Sequence, residues 1–92
     1  MTERNENENK LSQGLERLRE ELKSEKIDDA TRQRLESLAS RVENQLKKQR
    51  DEETHHNLLQ ELEEEIMRFE VAHPRLTAIF NDIMVALGNM GI

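Results

Sequence analysis

His73-Pro-Arg-Leu-Thr-Ala-Ile-Phe-Asn-Asp-Ile-Met-Val-Ala-Leu-Gly-Asn-Met-Gly-Ile92 is the stretch on which the fold turns. It holds one basic and one acidic side chain, against thirteen and nineteen in the seventy-two residues before it. Proline lacks an N–H, and its ring clashes with the carbonyl four residues back. His73, preceding it, resists helical torsions. Pro74 therefore fits the first position of a new helix, over 74–90. At 100° per residue Leu76, Ile79, Phe80, Ile83, Met84, Ala86, Leu87 and Met90 share an arc of about 160°. The opposite side (Arg75, Thr77, Ala78, Asn81, Asp82, Val85, Gly88, Asn89) is small and barely charged. So wide an apolar face marks the central element of an all-α fold. Gly91 in a left-handed position would set Ile92 against Leu87 and close a Schellman cap.

Outward from this helix, narrower apolar seams repeat at helical spacing. Leu58, Leu59, Leu62, Ile66 and Phe69 predict a helix over 57–72, capped by Thr54 or Asn57, with Glu61, Glu63, Glu64 and Glu65 mostly on its far side. Glu64 and Arg68 stand in the favourable i,i+4 order. Residues 47–56 have no apolar side chain and read as a break. Leu35, Leu38, Ala39, Val42 and Leu46 predict a helix over 29–47, opened by Asp28 or Asp29 as N-cap. Leu11, Leu15, Leu18 and Leu22 predict a helix over 10–24 with a seam of about 60°. Gly14 falls outside that seam. Residues 1–9, polar after Met1, read as a flexible tail before a single helical domain over 10–92. The short connection between the first two helices predicts an antiparallel hairpin, and the whole predicts coiled-coil-like or bundle packing.

Composition narrows the function. The chain is 92 residues with 34% hydrophobic and 37% charged residues, no Trp, no Tyr and two Phe, so a core built from one chain is expected to be thin. Without cysteine there are no disulfides or thiolate metal sites. A net charge of −6, with bases interleaved among acids, argues against a nucleic-acid partner. The longest apolar run, Ile83 to Leu87, is far below the ~20 residues that span a bilayer. The polar start lacks the apolar core of a signal peptide. A cytoplasmic protein is the expectation.

Phe69-Glu70, His73-Pro74-Arg75-Leu76 and the ending Leu87-Gly88-Asn89-Met90-Gly91-Ile92 together resemble a family of short bacterial proteins of unknown function. Its members have a Leu-rich helix, a second helix with an acidic cap, a polar break, a Phe-Glu-x-x-His-Pro junction and an Asn-Met-Gly-Ile terminus. The resemblance implies a bacterial, cytoplasmic protein. It carries over no activity, cofactor or catalytic residue.

Few residues suggest chemistry. His55 and His56 point about 100° apart on a helix and cannot both face one ion. They read as a solvated loop pair, and metal-dependent catalysis through them and Glu52 is a distant alternative. His73 reads as a structural group at a helix end, with a pH-sensitive hinge as its functional alternative. The Glu61–Glu65 cluster reads as a solvated face. Met67, Met84 and Met90 read as core filler. No catalytic residue, cofactor or metal ligand is assigned. The expectation is a non-catalytic, self-associating helical module, a homodimer or a binder of another helical protein. Its interaction or core face would be Leu76, Ile79, Phe80, Ile83, Met84, Leu87 and Met90, with His73, Pro74 and Gly91 as structural junctions. The alternative is that helix 74–92 detaches to enter a partner groove or lie on a membrane surface; few basic residues on its polar side weaken the membrane reading.

Overall fold

A computed structural model describes residues 2–47 and 52–90. They form four helices: α1 (Thr2–Ser24), α2 (Asp29–Lys47), α3 (Glu52–Phe69) and α4 (Pro74–Met90). Cross-helix pairs fix their directions. Arg19 meets Glu43, Arg34 meets Glu65 and Arg41 meets Glu61. Phe80 stacks on Phe69. Arg17 meets Asp82. Leu22 with Arg32, Leu59 with Gly88 and Gly14 with Ile83 supply second contacts, and in each helix pair that packs together one number rises as the other falls, so the bundle runs up-down-up-down with short connections. α4 lies against α1 and α3, while α2 closes the far side against the same two helices. The long dimension of 39 Å is close to one helix length, as side-by-side packing requires.

The connections follow from local chemistry. Asp28 is the N-cap of α2: its Oδ1 accepts from the Thr31 N–H at 2.8 Å, and its carbonyl accepts from the Arg32 N–H at 3.0 Å. The Thr31 hydrogen bonds hold the Asp28 carboxyl below its ordinary pKa. The Arg32 side chain donates back to the carbonyls of Leu22 (3.0 Å) and Glu25 (3.3 Å), satisfying the end of α1. At the other junction His73 is the N-cap: its carbonyl accepts from the Thr77 N–H and hydroxyl at 3.1 and 3.2 Å, with Pro74 first in the helix. The His73-Pro74 pair thus breaks the chain into two helices.

The core is continuous. Leu11, Leu15, Leu18 and Leu22 meet Leu35, Leu38, Ala39 and Val42, Leu58, Leu62 and Phe69, and the α4 face from Leu76 to Leu87. The expectation of a thin core, with the wide face of α4 left for association, is corrected here. Leu76, Phe80, Ile83 and Leu87 are fully buried and Ile79 nearly so, with Met84 and Met90 packed half-buried on the same core. The accessible surface, 6013 Å², is close to the ~5,600 Å² of a typical monomer of this mass. The three narrow seams together offer as much apolar surface as the wide face needs.

Other expectations also shift. Residues 2–9, expected as a tail, belong to α1. Asn7, one helical step before Leu11, is buried and extends the seam. α3 begins at Glu52, so Thr54 and Asn57 lie within it rather than capping it, and it ends at Phe69 instead of 72. Glu52 and Glu53, acidic side chains that suit the positive end of a helix, carry α3 back through a stretch without apolar side chains. Of the expected break at 47–56, residues 48–51 lie outside the described residues, as do Gly91 and Ile92 of the expected cap.

Candidate functional site

α1 and α4 come close together at Gly14, and the glycine makes this approach possible. A Cβ on Gly14 would stand 2.8 Å from Ile83 Cγ1, inside the distance that carbon atoms tolerate. Gly14 is thus buried against α4, three residues after Leu11 and four before Leu18, on the flank of the seam rather than away from it. Beside this contact an open groove of about 450 Å³ runs along the outer edge of the two helices. α1 contributes Asn7, Lys10, Gln13, Gly14 and Arg17, and α4 contributes Asn81, Asp82, Val85, Ala86 and Asn89. Val85 stands 49% exposed in it. Only three lining side chains are charged, and two of them pair: Arg17 Nη1 donates to Asp82 Oδ2 at 3.2 Å, with both ends well exposed. Toward the His73 end the edge becomes charged, lined by Glu16, Glu20, Glu21 and Arg75.

The residues singled out from sequence fall elsewhere. Leu76, Ile79, Phe80, Ile83, Met84, Leu87 and Met90 form one face, and that face is turned into the chain's own core. His55 and His56 are not a solvated loop pair. Both lie on α3, where His55 is buried and His56 exposed. His55 sits three residues before Leu58, a core-facing step, and burial, aided by the charge of His56, lowers its pKa. Glu52 is exposed. Among the described residues no three His, Asp or Glu side chains gather as a metal site would require.

His73 turns its Nδ1 toward Glu25 Oε2 at 3.4 Å and its ring edge-on to Phe69, linking the two junctions at that end of the bundle. The Glu cluster divides. Glu63 and Glu64 are exposed, but Glu65 is buried and receives a forked pair of hydrogen bonds from Arg34 at 3.1 Å each. Glu65 lies three residues after Leu62 and four before Phe69, so it belongs to the core face. Arg68 pairs with Glu65 at 3.7 Å, not with Glu64. Glu61 takes a second fork from Arg41 at 2.8 and 2.7 Å, a bond that raises the Arg41 pKa. Met67 is not core filler, being 67% exposed.

Sequence reasoning missed the α1/α4 edge. Gly14 at a flank position, together with Val85 on the mild side of α4, was the available signal, but it acquires meaning only once those helices are known to be neighbours.

No helix among the described residues is long and apolar enough to cross a membrane. No curated protein and no solved structure matches the chain. A family described as Domain of unknown function (DUF4404) matches residues 11–92, nearly the whole bundle, and the chain belongs to it.

Proposed function

We propose that the protein is a non-catalytic helical interaction module that pairs with a second copy of itself across the outer edge of α1 and α4. The observation that carries this reading is the small, mostly uncharged strip at the middle of that edge, flanked by the paired Arg17 and Asp82. In a chain with 37% charged residues, it sets a half-exposed Val85 among Ala86, Gly14, Asn81 and Asn89. A twofold interface must be complementary to itself. The exposed Arg17–Asp82 pair meets that demand, because the two charges can exchange partners between copies at either side of the apolar strip. The reading is non-catalytic because the groups that could do chemistry are engaged in holding helices: His73 with Glu25, Glu61 with Arg41, and Glu65 with Arg34.

Sedimentation equilibrium over a wide concentration range tests it. The wild type is expected to move from monomer to dimer. Val85→Glu, which places a carboxylate in the strip without touching the core, is expected to raise the dimer Kd by about tenfold or more while leaving the melting curve unchanged. A wild type that remains monomeric throughout, or a Val85→Glu dimer as tight as wild type, contradicts the proposal.

A further inference from the structure

At one end of the bundle the hydrocarbon core gives way to a polar layer. Each apolar seam is continued there by one more inward step, and the residue at that step is polar: Asn7 four before Leu11, Gln45 three after Val42, His55 three before Leu58. All three are more than nine-tenths buried. The Arg41–Glu61 pairing of antiparallel α2 and α3 brings Gln45 and His55 to neighbouring levels. Among the described residues, the enclosed Gln45 Oε1 and His55 Nδ1 have no hydrogen-bond partner. Buried polar atoms are almost always paired, so two unpaired ones in one layer mark a weak point.

A neutral imidazole is tolerable in such a place. An imidazolium is not, because it brings a charge into an enclosed layer whose described inward-facing partners, Asn7 and Gln45, are neutral amides that offset little of its lost hydration. Among the described residues, the titratable or charged groups at this level are Glu52, Glu53 and His56 on α3, Lys47 on α2, and Glu6, Glu8 and Lys10 on α1; the last turn of α4, Leu87 to Met90, has none. Lys47 is turned to Glu43. His56 is the group whose charge acts on His55, and it opposes protonation.

We propose that this layer is an acid-triggered latch: when His55 takes up its second proton, the Asn7–Gln45–His55 end of the bundle opens while the leucine-filled remainder stays packed. The sign follows from burial, which holds the folded pKa of His55 below the ordinary 6.5. The closed layer is therefore fully favoured above that value, and its advantage declines as pH falls beneath it, by up to about tenfold in the opening equilibrium per pH unit. The latch does not depend on self-association.

Amide hydrogen exchange at pH 7.5 and 5.5, corrected for intrinsic rates, reads the opening directly. Expected is a rise of about tenfold at residues 6–9, 43–47 and 52–57, with residues 15–22 and 79–87 unchanged. His55→Leu is expected to abolish the response and His56→Asn to retain it. NMR titration of the wild-type His55 ring gives a second readout that needs no variant, and should show protonation below pH 6.5 tracking the same opening. A wild type without the rise, a rise spread evenly over the core, an acid response that survives in His55→Leu or is lost in His56→Asn, or a His55 ring that titrates at or above 6.5 overturns the proposal.

Discussion

Gly14 shows how a single position acquires its meaning from the partner helix. From sequence it reads as a helix-weakening residue beside a leucine seam, costing about 1 kcal/mol relative to Ala. In the bundle it lies directly against α4, with Ile83 Cγ1 occupying the space a methyl group would need. The steric term should win, because the obstructing atom is near the base of a fully buried side chain and not at a flexible tip. Gly14→Ala is expected to lose about 1–3 kcal/mol in denaturant unfolding despite the gain in helix propensity. Ile83→Val in the same chain should recover part of that loss, giving a measurable coupling. A stabilised Gly14→Ala would mean that the two helices are not held this close. Asp28 is the contrasting case. A cap depends only on the residues that follow it, so its role was legible without knowing any neighbour.

At the scale of elements, the seams of α1, α2 and α4 were legible because hydrophobic spacing is an intrinsic property of one helix. α3 was read less well for two physical reasons. Its first turns have no apolar residues, so its start at Glu52 left no periodic trace. Its core face also includes Glu65, whose charge suggested solvent while its spacing placed it inside. The compensation comes from Arg34 on a different helix, which no local pattern reveals. This contrast yields a prediction. Arg34→Ala leaves a carboxylate whose side chain is 8% exposed with only its longer contact to Arg68 at 3.7 Å, whereas Arg41→Ala frees Glu61 at 37%. The first should cost about 1–3 kcal/mol and the second under about 1 kcal/mol by chemical denaturation. Replacing both members, as Arg34→Met with Glu65→Met, should restore most of the loss. Equal costs for the two arginines would contradict the burial of Glu65.

For the whole molecule, the wide face of α4 is buried, but α4 packs on two neighbours as each of the four helices does, and its coverage was misjudged. Composition suggested that a chain with 34% hydrophobic residues could not hide it. The misjudgement lay in treating each narrow seam alone. Four helices packed side by side direct all their seams to one axis, and the sum suffices. The proposed self-association then uses the outer edge where Val85 stands, a surface without any strong periodic signal. Ile83→Asp and Val85→Glu separate the two roles. The core substitution should abolish cooperative melting at any concentration, since it buries an unpaired charge in a site with no exposure. The most direct test is amide exchange of residues 76–87 in wild-type protein diluted until it is wholly monomeric. These amides should remain among the slowest in the chain, with the same protection as at high concentration. If they exchanged at unfolded-peptide rates on dilution while α1 to α3 remained protected, α4 would not be held by its own chain.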